Sequence, residues 1–157
     1  MPMNIAIDGP VGAGKSWVAD EVAARLGILH LDTGAMYRTL GLHALRSGID
    51  LADEAAVTAC CEAAKVSVKY ENGAQRTLLR TGEVSAAASA VSKWPGVRSI
   101  MVRAQQEIAR SADMLIDGRD IGTVVLKDSP CKIYLTASAE ERARRRYKQN
   151  LEKGDTT

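Results

Sequence analysis

The sequence predicts an α/β fold of three layers: a mostly parallel sheet with helices on both faces, carrying a small inserted antiparallel subdomain. Three observations lead there. Short apolar runs near residues 5, 29, 115 and 133 alternate with stretches of helical period. The first run enters a glycine-rich turn, Gly9-Pro10-Val11-Gly12-Ala13-Gly14-Lys15-Ser16, followed by a helical pattern. One segment, 66–80, instead alternates and carries Asn72-Gly73 at its centre.

Each element has its own reason. Ile5 to Ile7 reads as a short buried strand. Ser16 to Leu26 reads as a helix, because Val18, Val22 and Leu26 recur at i, i+4 and i+8 and Gly27 is placed to end it. Ile28 to Leu31 is a second strand, and a helix from Ala35 to Ser47 closes on Gly48. Asp53 to Lys65 reads as a helix with Asp50 or Asp53 near its cap. After the hairpin, helical pattern resumes at Val84, breaks at Pro95 and continues to about Ser111. Met114 to Ile116 is a strand ending in Asp117-Gly118, and 131–137 is another. Ser138 caps a helix rich in arginine.

At 157 residues the chain reads as a single domain, 1–157, with a core of about 1–50 and 95–157 and an inserted subdomain over 51–94. Hydrophobic residues at 46% and charged residues at 25% give a globular composition. The net charge of +2 is too weak a bias to argue for a nucleic-acid partner by itself, and the basic cluster is not interleaved with aromatics, so none is expected. No apolar run approaches a membrane span, and no basic-then-apolar leader opens the chain. Cys60, Cys61 and Cys131 have neither metal spacing nor an even count, so reduced thiols and a cytoplasmic location are expected. A monomer working on small-molecule nucleotides is expected, with no membrane contact.

The chemistry concentrates in four segments. Residues 9–16 fit G-x-x-x-x-G-K-[ST]: glycines let successive N–H groups face a polyphosphate, and the following helix aims its positive end there. Lys15 is suited to the β and γ phosphates, and the Ser16 hydroxyl to Mg²⁺. This motif implies nucleoside triphosphate binding without choosing among kinase, GTPase and mechanical ATPase. Asp32-Thr33 stand at a strand-to-helix turn, with Tyr37 and Arg38 one turn on; Arg38 is either a solvated arginine or a phosphate clamp. Asp117 ends an apolar strand, where a carboxylate helps hold Mg²⁺, and Arg119 and Asp120 follow. The run "EERARRRY" holds four arginines within five residues and reads as a solvated helix or as a mobile lid over phosphates.

Taken together, "IDGPVGAGKS", "LDTGAMYR", the "AAS…PGVR" stretch, "DGRDIGTVV" and "KIYLTASAEERARRR" resemble the nucleoside monophosphate kinases, and most closely the bacterial cytidylate kinase ((d)CMP kinase) family. The segments occur in family order and span essentially the whole chain. The resemblance implies a P-loop kinase fold and transfer of the γ-phosphoryl of Mg-ATP to CMP or dCMP. It implies that Gly9, Pro10, Val11, Gly12, Ala13, Gly14, Lys15, Ser16 and position 17 hold ATP, with Arg145 and Arg146 closing from the lid. It further implies that Thr33 and Arg38 contact the CMP phosphate in a pocket that Tyr37 helps shape, that Ser89, Arg98 and Asp120 read cytosine, and that Arg119 bridges toward the phosphates. Lys15, Arg119 and Asp117 are the implied catalytic set, with Ser16 and Asp117 serving Mg²⁺ partly through water. No general base is expected, so neither His30 nor His43 is nominated.

Three departures stand out. Trp17 occupies a position where the family carries Thr or Ser, so it either packs against the sheet or crowds the donor nucleotide. The inserted subdomain is short, with Arg80 an ambiguous match. The family fold continues past the point corresponding to Thr157, with a fifth strand and further arginines, so a truncated chain is expected. The alternatives are another small-molecule P-loop kinase, acting on shikimate, AMP or dTMP, or a nucleotide-binding module with little or no turnover.

Overall fold

The computed structural model describes residues 2–10, 14–64, 70–71, 74–75, 82–136, 140, 144 and 147–148. Strands β1 (Asn4–Asp8), β2 (Leu29–Asp32), β5 (Met114–Gly118) and β6 (Cys131–Tyr134) form one sheet in the order β2-β5-β1-β6. All three pairings are parallel. Crossovers therefore have to run over the faces, and helices do so. They are α1 (Lys15–Leu26), α2 (Thr33–Arg46), α3 (Glu54–Ala64), α4 (Gly82–Ser92) and α5 (Pro95–Ser111).

Side-chain alternation along the strands sorts the core into two layers. Ile5, Ile7 and Leu115 point to the α1 side, where they meet Ala19 and Ala23. Ala6, Met114 and Ile116 point the other way, into a larger cluster with Met36 and Leu40 of α2, Val57 and Cys61 of α3, Val91 of α4, and Val97 and Met101 of α5. Each fully buried Leu, Ile or Met in these layers contributes roughly 1.5–3 kcal/mol relative to exposure. Helices α3 and α4, on either side of the hairpin segment, thus share one core with the sheet.

Helix ends follow the punctuation of the sequence. Gly27 is left-handed (φ 68°), and the N–H groups of Gly27 and Ile28 return to Ala24 and Ala23. Asp32 caps α2 by accepting from the Ala35 N–H at 3.2 Å. Pro95 starts α5, where its missing N–H costs nothing. In the 66–80 segment, β3 (Tyr70–Glu71) pairs antiparallel with β4 (Ala74–Gln75); the rest of that hairpin, Asn72 and Gly73 included, lies outside the described residues. So do most of the arginine-rich segment, including Arg145 and Arg146, and Val11, Gly12 and Ala13 of the glycine-rich turn. Within that segment, Glu140, Arg144, Tyr147 and Lys148 are helical. The π-helical turn Ile121–Val125 has no counterpart in the periodicity, because an i→i+5 turn matches neither the helical nor the strand template.

The register brings three aspartates to the carboxyl edge of the sheet. Asp8 lies opposite Gly118, and Asp32 lies opposite Asp117. Ligands of open parallel sheets bind at this edge.

Candidate functional site

A cleft of about 520 Å³ opens over that edge. One end is lined by Gly14, Lys15, Ser16 and Trp17, at the start of α1. Gly14 takes a left-handed conformation (φ 88°) as the α1 N-cap, so the first backbone N–H groups of the helix are free of side-chain capping. Thr33, Tyr37 and Arg38 line the cleft from α2, Ser89 from α4, and Arg98 from α5. Asp117, Arg119 and Asp120 line it from the end of β5. These predicted residues, twelve in all, are therefore gathered in one cavity. Gly9 and Pro10 are described but are not among its lining residues. A Cβ on Gly9 would lie 2.0 Å from the carbonyl oxygen of Leu135, so only glycine lets β1 leave the sheet beside β6.

The polar groups are tied together across elements. Thr33 Oγ1 donates to the Asp117 carbonyl at 2.9 Å. Gly118 makes this approach possible, since a Cβ there would meet Thr33 Oγ1 at 2.0 Å. Arg38 Nη2 donates to Asp32 Oδ2 at 3.3 Å, which holds the guanidinium at the cleft wall. Arg98 donates to Asp120 Oδ2 and to the Ser92 carbonyl, each at 3.4 Å. Asp120 itself is the sole described non-glycine residue at positive φ (57°). Burial pushes the Tyr37 phenol above its usual range, while the Arg98 charge opposes the shift.

Two aspartate interactions escaped the sequence reading. Asp8 accepts from the N–H groups of Ile121 and Gly122 at 2.7 and 2.9 Å. Its carboxylate thereby fixes the turn behind Arg119 and Asp120 to the strand that enters the glycine-rich loop. His30, on β2, donates from Nδ1 to Asp20 at 2.5 Å and from Nε2 to Asp117 at 2.7 Å. Burial alone would lower the His30 pKa, but the hydrogen bonds and charges of Asp117 and Asp20 outweigh it and hold it at about 9. Imidazolium is therefore the neutral-pH form, and both ring nitrogens donate. Burial raises the Asp117 carboxyl, opposed by its bond to His30 and by the nearby Lys15, while the Asp32 charge raises it further. His30 is thus a buried packing histidine, as a strand-end residue suggests, yet it is bonded to a carboxylate of the cleft.

Trp17 does not pack against the sheet. It is 70% exposed at the cleft mouth. Cys60 and Cys61 are buried, and burial pushes both thiols up, Cys61 to about 11. Neither is primed as a nucleophile. No group of three or more metal-ligating side chains occurs among the described residues. A hydroxyl and a carboxylate, Ser16 and Asp117, line the cleft together. That sparse set of hard oxygen donors suits Mg²⁺, which keeps several waters and takes its other ligands from phosphate.

The family model for cytidylate kinase matches residues 5–157. A cytidylate kinase of Shouchella clausii (strain KSM-K16) is 48% identical over 160 aligned residues, covering 96% of this chain and 71% of that protein. The cytidylate kinase of Mycolicibacterium paratuberculosis (strain ATCC BAA-968 / K-10) is 49% identical over 96% of this chain and 70% of its own length. That of Bacillus pumilus (strain SAFR-032) is 45% identical over 97% of this chain and 72% of its own. The chain belongs to the cytidylate kinase family. It is accordingly a kinase-type transferase with the parallel-sheet architecture of P-loop kinases. No helix among the described residues is long and apolar enough to cross a membrane.

Proposed function

We propose that this chain transfers the γ-phosphoryl group of ATP to CMP or dCMP, giving CDP or dCDP. The observation that carries the reading is the joining of Lys15 and Ser16 to Thr33, Tyr37, Arg38, Ser89, Arg98, Arg119 and Asp120 in one cleft. The relatives' printed name, cytidylate kinase, supports the same acceptor.

The donor phosphates lie against the α1 N-terminus, where Lys15 supplies a point charge and the first-turn N–H groups supply donors. The acceptor phosphate lies against Thr33, Tyr37 and Arg38. The Asp32 carboxylate orients Arg38, so the guanidinium is already placed when the nucleotide arrives. Arg119, at the end of β5, neutralises charge on the moving group in this reading. An acceptor phosphate oxygen attacks the γ phosphorus in line, and the bond to the bridging oxygen of ADP breaks. The phosphate is already ionised at neutral pH, so no side chain has to take a proton. Mg²⁺, held by Ser16 and Asp117 partly through water, would neutralise donor phosphate charge when bound. Cytosine offers an exocyclic amine, a ring nitrogen acceptor and a carbonyl. Asp120, Arg98 and Ser89 complement these groups, and the Arg98–Asp120 contact keeps carboxylate and guanidinium side by side.

Small-molecule nucleotides, a cytoplasmic location and a monomeric state belong to the same reading. A coupled assay offering CMP, dCMP, UMP, AMP and shikimate tests it. CMP and dCMP are the preferred acceptors; equal or better use of AMP or shikimate overturns the assignment.

A further inference from the structure

Helix α5 buries one stripe: Val97, Met101, Gln105 and Ala109, spaced four residues apart. Three of these positions are apolar, as a core-facing stripe requires. The fourth is a glutamine that is 2% exposed, as deeply placed as its neighbours. Its Nε2 is buried and has no hydrogen-bond partner among the described residues. Leaving such a donor unpaired is costly, and buried polar groups in folded proteins are nearly always paired. The next residue makes the contrast: Gln106 spends its amide on the carbonyls of Val124 and Val125.

Gln105 also lines the cleft. It shares that wall with Arg98 and Val102, at i, i+4 and i+7 of one helix face, so it stands two turns beyond the arginine assigned to cytosine. Val102, Val124 and Val125 give the same region apolar surface suited to the faces of a flat ring. A pyrimidine edge alternates donors and acceptors, and a carboxamide presents one of each.

We propose that Gln105 is a nucleobase-binding residue that hydrogen-bonds the pyrimidine edge of the acceptor nucleotide at the buried end of the cleft. The donor left without a partner in the free protein is satisfied by the ligand. Such a site discriminates strongly, because a ligand lacking the matching group leaves the amide unpaired again. The inference rests on the acceptor reading given above and adds a residue to it.

Gln105→Met tests it, since methionine nearly conserves volume and removes both polar atoms. Calorimetric titration of the purified chain with CMP and, separately, with ADP reads the two ends of the cleft. The CMP Kd should rise about tenfold or more, from loss of a buried hydrogen bond. The ADP Kd should stay within about twofold, and the melting temperature of the free protein should hold or rise, because an unpaired buried donor has gone. Unchanged CMP affinity overturns the proposal. Joint loss of CMP and ADP affinity with a lower melting temperature also overturns it, since that pattern marks a structural glutamine. If the methionine variant does not fold, Gln105→Leu also removes both polar atoms without burying a charge and faces the same criteria. A parent chain that binds ADP but not CMP overturns the acceptor reading itself, which separates that failure from failure of the Gln105 assignment.

Discussion

His30 donates from Nε2 to Asp117 Oδ2 across 2.7 Å, with each side chain only 3% exposed. The other ring nitrogen reaches Asp20 on α1. A buried cation therefore links the helix that follows the phosphate loop to the strand-end carboxylate of the cleft.

That link gives stability a pH dependence of definite sign. The folded-state pKa of His30, about 9, lies above its ordinary value of 6.5. Its contribution is therefore fully present below pH 6.5 and is lost as pH rises through about 9. Denaturant melts across this window should show a loss on the order of 3 kcal/mol. His30→Gln should flatten the slope. An unchanged slope in that variant would place the titration elsewhere.

Asp8 makes two charge-assisted hydrogen bonds to the turn behind Arg119 and Asp120. Asp8→Asn keeps the shape but sets an amide donor against a backbone donor. It should cost about 2 kcal/mol of stability and weaken CMP binding more than ADP binding. Thermal melts and parallel titrations check both parts. Equal weakening of the two nucleotides would count against a role in placing Arg119 and Asp120.

Trp17 has an N–H donor and no hydroxyl, and it stands exposed in the cleft lining beside Lys15 and Ser16. Trp17→Thr should tighten ATP binding about threefold or more, while shifting stability by less than about 0.5 kcal/mol, as an exposed site allows. Titration of ATP into both proteins measures the difference. Weaker binding by the threonine variant would mean that the indole holds the nucleotide rather than crowding it.

Gly118→Ala would put a Cβ 2.0 Å from Thr33 Oγ1 and 3.2 Å from Ile121 Cδ1. Either Thr33 leaves its bond to Asp117 or the strand end shifts. The expected loss is about 1–3 kcal/mol, with weaker CMP binding because Thr33 is displaced. Chemical denaturation and CMP titration of the variant give the two readings.

The sheet was legible because parallel strands covered on both faces are short unbroken apolar runs, as at Ile5–Ile7 and Met114–Ile116. Helix limits were legible where Pro95 and Gly27 supply a start and a stop with a local mechanism, whereas α2 begins at Thr33, two residues before the expected Ala35, because Asp32 caps it. The gathering of Lys15, Arg38 and Arg119 followed from placing each motif at a strand's carboxyl end. What stayed hidden depends on partners far along the chain. Asp8 bonds to residues 113 and 114 positions away, and His30 to one 87 positions away. Neither distance leaves a local signature. Gln105 was missed for a related reason: only the packed helix reveals that a glutamine occupies a core position. The tryptophan after the phosphate loop was visible from the start, but its exposure required the fold.

The central claim is that one cleft holds donor and acceptor for phosphoryl transfer, with Lys15 at the donor end. Its most direct test follows the label from [γ-³²P]ATP into CDP, with the parent chain and Lys15→Ala side by side. The account predicts labelled CDP from the parent chain and a loss of about a hundredfold or more in the variant. No label in CDP from the parent chain, or equal labelling by the two proteins, would contradict it.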